Sequence, residues 1–383
     1  MAGMTAQQLI SFARGAPSID IIDVEGLKAA AVRAFEADPV GITAYGTSVG
    51  YPPLRKWIAD KHGVAPEQVL VTNGSMQADA FLFNQLVSAG DAVVVERPTY
   101  DRTLLNLRQL GAEVHQVGMD ADGINVDELR ALLESGVRPK LAHIIPNYQN
   151  PAGVTLPLAK RQALLALARE YGFTIFEDDP YADIRFRGEP LPSMLSMDTA
   201  GDAGAAGPGQ RSTEGVVVHA SSFTKTVCPG VRVGYLVGPA NLIADIARSA
   251  TNLYISPGQV AEGIVYQFCV SGDIERSIAT VSAALGERAS LLAEALRRHL
   301  PDARFVEPDG GYFLWVELPE DVEVDLLVPE AAARGVAVVK GSDFLLEGGN
   351  HAVRLAYSAV TPDQIDEGVR LLAEAARAVA KRD

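Results

Sequence analysis

The stretch "VVVHASSFTKTVCPGVRVGY", Val216–Tyr235, decides how this chain is read. A short apolar run ends in two serines, and Lys225 follows three residues later. The end of a buried strand is a poor place for a solvated ammonium, so Lys225 needs a role, as does Arg232 seven residues on. The same texture recurs upstream. "VLVTNGS" (69–75), "AVVVERP" (92–98), "LAHIIPN" (141–147) and "FTIFEDD" (173–179) are short apolar runs, each ending in polar or turn residues. Helical patterns lie between them. "PPLRKWIADKHG" opens on prolines, repeats Leu54, Trp57 and Ile58, and stops at Gly63. "MQADAFLFNQLVSAG" sets Ala78, Phe81, Leu82, Gln85 and Leu86 at helical spacing, and "LPLAKRQALLALAREYG" is a further helix. Apolar strands alternating with helices predict an α/β fold with a parallel sheet buried on both faces.

After about residue 270 the pattern changes. A long helix covers "DIERSIATVSAALGERASLLAEALRRHL", and strands follow at "GGYFLWVEL", "GVAVVKG" and "AVRLAYS". A last helix opens at "TPDQ", with Thr361 as cap, Pro362 in the first turn and Gln364 completing a capping box. This predicts a smaller α+β domain. "DTAGDAGAAGPGQRSTEG" (198–215) reads as a mobile surface loop, because the strand pattern resumes directly after it.

At 383 residues, 48% apolar and 21% charged, the chain suits a globular protein of two unequal domains. Its net charge is -15, and no run of Lys and Arg forms a basic patch, which argues against nucleic acid as a partner. No apolar stretch approaches the roughly 18 residues of a membrane span. The N-terminus does not read as a signal peptide, and two cysteines, Cys228 and Cys269, are too few for a disulfide framework. These features together predict a cytoplasmic setting. The six histidines show no metal-binding spacing, so no metal site is expected.

In an open parallel sheet, ligands bind beyond the carboxyl ends of the strands. The residues there suit one aromatic, phosphorylated aldehyde. Gly74 and Ser75 at a helix start offer free N–H groups to a phosphate, and Arg232 offers a fork of donors to the same group. Tyr100 can stack on a heteroaromatic ring. Asp178 can hold a ring nitrogen protonated, with Asp179 its rival for the role. Asn150 and Tyr181 can bond a phenolate oxygen. Lys225, partly desolvated, can lose its proton and form a Schiff base.

Five motifs, "YGTSVGYPPLR", "TNGSMQ", "PNYQNPAG", "EDDPYADIRF" and "SSFTKTVCPGVRVGY", occur in this order. With them the chain resembles, from about Arg14 to Val379, the pyridoxal-phosphate aminotransferases of fold type I (the aspartate aminotransferase fold). Within that group it is similar to the branch of 2-aminoadipate and kynurenine aminotransferases, whose module is also fused to MocR-type regulators. The resemblance implies a PLP-transferase fold: a large domain with a mostly parallel seven-stranded sheet flanked by helices, plus a smaller α+β domain. It implies an arm at 1–22 over the active site, a large PLP-binding domain at 45–270, and a small domain from 23–44 with 271–383.

It also implies pyridoxal 5'-phosphate as cofactor, with Lys225 as its covalent anchor. Ser75, the backbone amide of Met76, Ser222 and Arg232 hold phosphate; Asp178 meets the ring nitrogen; Asn150 and Tyr181 meet the ring oxygen; Tyr100 stacks. Arg354 binds the substrate α-carboxylate, and Gly15 lies where the arm covers substrate. Tyr45 reaches the neighbouring subunit's phosphate, which implies a homodimer with shared sites. Family members often carry Gln at Met76 and Ser at Thr224. The implied reaction moves an amino group from a 2-aminoadipate-like, aromatic or branched L-amino acid to a 2-oxo acid, 2-oxoglutarate being the expected acceptor, with ping-pong kinetics. Other reactions of the same cofactor (lyase, decarboxylase, cyclase, oxidase) and a non-catalytic sensor module are the alternatives. Gly46–Gly50 matches G-x-S-x-G, but "DPVGITAY" makes a poor strand before a nucleophile elbow.

Overall fold

The computed structural model describes residues 9–198 and 215–380. The Gly- and Ala-rich segment expected to be a mobile loop lies, at 199–214, outside the described residues.

Thirteen strands are needed to follow the fold among the described residues. They are β1 Ile10–Ser11, β2 Val69–Thr72, β3 Ala92–Arg97, β4 Glu113–Asp120, β5 Gly123–Ile124, β6 Leu141–Ile144, β7 Thr174–Asp178, β8 Val217–Ser222, β9 Gly234–Val237, β10 Phe313–Glu317, β11 Val336–Ala337, β12 Val339–Lys340 and β13 Ala352–Ala356. The large sheet has the order β2-β9-β8-β7-β6-β3-β4-β5. Pairs β3–β4, β3–β6, β6–β7 and β7–β8 are parallel, while β9 runs antiparallel to both β2 and β8. Seven strands form the expected sheet; an eighth, the two-residue β5, turns back antiparallel on β4 at its edge.

The strands read as unbroken apolar runs because both faces are covered. Val71, Val94, Ala142, Ile175 and Val217 belong to one buried cluster. Their neighbours Leu70, Val93, Val95, Leu141, Phe176 and Val218 belong to another. Alternate residues of a strand point to opposite faces, so each strand feeds both layers.

A separate antiparallel sheet, β10-β13-β12, packs with the helices Asp273–His299 and Pro362–Ala380 around a third core holding Phe12, Tyr312, Leu355 and Tyr357. The N-terminal segment is sewn into this layer. β1 pairs parallel with β11, the Phe12 amide donates to the Ala337 carbonyl at 2.8 Å, and its own carbonyl accepts from Ala356 at 2.7 Å. Buried Arg288 anchors the next stretch, donating to Ser18 Oγ at 2.8 Å and Asp20 Oδ2 at 2.6 Å. No helix among the described residues is long and apolar enough to cross a membrane.

Because β9 is antiparallel, its first residue sits at the carboxyl edge shared by the parallel strands. Gly234 there pairs with Thr72 on one side and Ser222 on the other. A Cβ on Gly234 would lie 2.5 Å from the Ser75 amide nitrogen and 2.6 Å from the Gly74 carbonyl carbon. Only a residue without a side chain lets the helix Ser75–Leu86 start so close to the sheet. Gly234→Ala is therefore expected to lower unfolding stability by about 1–3 kcal/mol, measured by denaturant titration of the apoprotein.

Candidate active site

A cavity of about 190 Å³ opens beyond the carboxyl edge of the large sheet. Ser75, Met76, Tyr100, Asn150, Asp178, Tyr181, Ser222, Lys225 and Arg232 all line it. These residues come from six separate segments, five delivered by the end of a strand or the stretch after it and Arg232 by the turn that leads into β9. Asp79, Ile145, Pro180 and Thr224 complete the wall.

Lys225 follows β8 and is half-buried. Its Nζ donates to the Gly15 carbonyl at 2.6 Å and lies over the rings of Tyr312 and Tyr181, 5.1 Å and 5.6 Å from their centroids. Burial, with the positive charges of Arg354 and Arg232 nearby and only partly offset by Asp178, pushes its ammonium down to about 8. Tyr312 also braces the turn, donating from its hydroxyl to the Lys225 carbonyl at 2.8 Å.

Asp178 ends β7 and is 6% exposed. Its Oδ2 is 3.5 Å from His143 Nε2, while its Oδ1 is buried without a hydrogen-bond partner. Asp179 turns the other way: it accepts from Asn147 Nδ2 at 2.8 Å, and Asn147 in turn accepts from buried Arg161 at 2.7 Å. The orphaned Asp178 oxygen, in a cavity flanked by a phenol and an amide, fits a protonated ring nitrogen. Tyr181 is fully enclosed; burial, with Tyr100 and Asp178 close by, pushes its phenol far above the ordinary range, so it remains a donor.

The opposite end suits a phosphate. The helix Ser75–Leu86 begins there with no side-chain cap, and although the Gln77 amide donates to the Gly74 carbonyl at 3.1 Å, the start of the helix still presents N–H groups to a ligand. Gly74 has φ +82°, and a Cβ on it would lie 2.2 Å from Arg232 Nη2, so glycine makes room for the guanidinium. Arg232 reaches Thr224 Oγ1 and the Asn73 carbonyl, both at 3.4 Å. Ser222 Oγ donates to Thr224 Oγ1 at 2.8 Å and accepts the Thr224 amide at 3.1 Å. Met76 Sδ accepts from Tyr100 Oη at 3.5 Å.

Arg354, from the centre of β13, reaches the cavity mouth from the small sheet. Its Nη1 donates to Asn150 Oδ1 at 3.1 Å and its Nη2 to the Ala13 carbonyl at 2.9 Å. Phe313 and Phe344 lie 4.4 Å and 4.8 Å from the guanidinium, and Nε is buried without a partner. Gly15 is thus present through its carbonyl; a Cβ on it would lie 2.4 Å from Phe313. Tyr45 does not line this cavity: its side chain is 89% exposed beside an apolar depression nearby.

The sequence reading left out Asp79, His143, Tyr312 and Phe344. Asp79 had a signal, since it falls four residues after Ser75 and so on the same helical face. The others join the site only through packing. A buried trio of Glu177, Asp179 and His219 also brings its ligand-type atoms within 4.8 Å of one another. There His219 Nδ1 is 2.9 Å from Glu177 Oε2, so imidazole and carboxylate already satisfy each other.

The family model described as aminotransferase class I and II matches residues 7–372. The chain is 31% identical to the 2-aminoadipate transaminase of Thermus thermophilus, over 96% of this chain and 90% of that protein. It is 29% identical to aromatic-amino-acid aminotransferase 1 of Thermococcus litoralis, over 98% and 89%. Among solved structures, an alpha-aminoadipate aminotransferase of Thermus thermophilus, complexed with N-(5'-phosphopyridoxyl)-L-leucine, superposes with a TM-score of 0.90 at 30% identity, covering 98% of this chain and 94% of that one. A match over nearly the whole length, in sequence and in fold, makes this chain a member of the class I and II aminotransferases.

Proposed function

We propose that this pyridoxal-phosphate aminotransferase takes its amino group from a 2-aminoadipate-like, aromatic or branched L-amino acid. The acceptor is a 2-oxo acid, 2-oxoglutarate first among them, and the two half-reactions alternate in one site. The observation that carries the reading is the convergence of Lys225, Asp178, Asn150, Tyr181, Ser75 and Arg232 on a single cavity. The activities named for the two relatives, on 2-aminoadipate and on aromatic amino acids, support the donor class.

When bound, pyridoxal phosphate supplies an aldehyde for the amino group and a ring that withdraws electrons from the substrate Cα. The chain supplies the rest. Ser75, the Met76 amide, Ser222 and Arg232 grip the phosphate and set the depth of the ring. Tyr100 covers one ring face. Asp178 keeps the ring nitrogen protonated, and Asn150 and Tyr181 hold the ring oxygen. Lys225 would anchor the cofactor through its amine, and that amine, once free, would be placed to move the proton at the substrate Cα. Arg354 orients the substrate through its α-carboxylate, which stays on the substrate and so favours transamination over decarboxylation. Gly15, with the arm behind it, closes over the substrate.

A homodimer completes the site. Tyr45 lines an apolar depression of about 710 Å³, with Ile42, Val231, Pro257, Val260 and Ile264, that shares no residue with the chain's own cavity. A second copy of the chain covers this face and receives Tyr45 at its phosphate.

Three outcomes check this reading. Only the free amine of Lys225 is nucleophilic, so incorporation of pyridoxal phosphate into apoprotein should accelerate as pH rises toward about 8 and level off above it. The measurement is the initial rate of growth of the cofactor absorbance, and Lys225→Ala should show no adduct fixed by borohydride. Arg354→Gln should weaken substrate binding by roughly 2–5 kcal/mol, seen in KM and in the first half-reaction, with cofactor content unchanged. Light scattering on the eluted protein should give the mass of two chains, and a stable monomer retaining full activity would remove Tyr45 from the site.

A further inference from the structure

One buried group in the cavity has no part in the scheme above. Asp79 lies one turn inside the helix Ser75–Leu86, is 2% exposed, and lines the same cavity as Asp178. Its Oδ1, like Asp178 Oδ1, is buried without a hydrogen-bond partner. Asp79 forms no ion pair among the described residues. An aspartate inside a helix costs helix propensity, and an unpaired buried carboxylate costs far more. Nothing in the packing of the helix calls for one.

We propose that Asp79 is a positioning residue for Asp178: the two carboxyl groups share one proton at the ring end of the cavity, so that Asp178 alone meets the ring nitrogen as a charged carboxylate. The inference rests on the reading that Asp178 binds that nitrogen.

Two carboxyl groups lining one small buried cavity do not readily both ionise. Burial, and then the charge of Asp178, holds the Asp79 carboxyl well above the ordinary carboxylate range. The groups facing the pair favour this order. Asp178 ends β7, next to His143 on β6 at 3.5 Å. Glu96 on β3, pushed up to about 8 chiefly by burial and in part by the charge of Asp178, is mostly neutral near pH 7 and adds little charge there. Tyr100, ahead of the helix Asp101–Gln109, sits near both acids, and burial together with Asp101, Asp79 and Asp178 pushes its phenol up. Lys225, Arg232 and Tyr181 line the rest of the wall. A proton kept on Asp79 leaves the pair one net negative charge for the ring nitrogen. A neutral Asp79 is then a donor beside Asp178. It limits rotation of that carboxylate and keeps a second negative charge away from it, with no proton gained or lost when the cofactor arrives.

The test compares wild-type, Asp79→Asn and Asp79→Ala apoproteins at pH 7. Infrared difference spectra of wild type against Asp79→Asn should show a protonated-carboxyl carbonyl band that the variant lacks. An amide donates as a neutral carboxyl does, so Asp79→Asn should bind pyridoxal phosphate within about twofold of wild type, while Asp79→Ala should bind about tenfold more weakly. Cofactor binding by the wild type with no carboxyl band lost in Asp79→Asn overturns the shared proton. So does equal loss of affinity in both variants. Wild-type protein that binds no pyridoxal phosphate overturns the underlying reading, and this inference with it.

Discussion

Removing water from one amino group is the constraint on which the site depends. Lys225 stands where a parallel strand runs out, against two tyrosine rings and under the Gly15 carbonyl. In bulk water its ammonium would be held by solvation. Here much of that solvation is lost, two arginines share the neighbourhood, and one carboxylate is too little to compensate. The amine becomes available near neutral pH because the fold denies it a counter-charge of its own, not because a base removes its proton. Its acceptor among the described residues, the Gly15 backbone carbonyl of the N-terminal segment, is neutral.

The acids are partitioned with equal care. Glu177, Asp178 and Asp179 are consecutive, all are buried, and their surroundings differ completely. Strand alternation puts Glu177 and Asp179 on one side and Asp178 on the other. On the far side, Asp179 meets Asn147 and, through it, Arg161, while Glu177 meets His219 and the amides of Met194 and Leu195. On the cavity side, Asp178 keeps an oxygen free. Each acid on the back of the strand is thus tied by at least one hydrogen bond, although Asp179 Oδ1 is also left without a partner, and this fixes the orientation of the residue between. Arg161 also bonds the Leu156, Pro146 and Pro192 carbonyls, so the loop bearing Asn150 is tied to the same post.

The two sheets meet at Arg354. It comes from the small sheet, touches Asn150 of the large one, and holds the Ala13 carbonyl of the N-terminal segment. Because β1 pairs with β11 and Phe12 is enclosed, that segment belongs mechanically to the small sheet. A shift of the small sheet would carry Arg354 and Gly15 together over the cavity. The substrate coverage and carboxylate binding proposed for Gly15 and Arg354 would therefore be coupled by covalent and hydrogen-bonded connection.

Much of this was legible in the chain of residues. Apolar runs such as Val69–Val71 and Leu141–Ile144 state that a strand is buried on both faces, since water on either face would have demanded polar alternation. Polar residues grouped just after each run, from Gly74-Ser75 to Lys225, state that the strand ends share one chemical task. What the residues could not state was which of two neighbouring acids looks into the cavity, that Asp79 lines it and His143 stands beside Asp178, or that Tyr312 braces the lysine. Those facts depend on the register of β10 and β13, on the approach allowed by Gly234, and on hydrogen bonds made by residues far apart in sequence. Periodicity is a local property and survives in one dimension. Orientation, burial and the charge a group carries are set by neighbours that only the folded chain brings within a few ångströms.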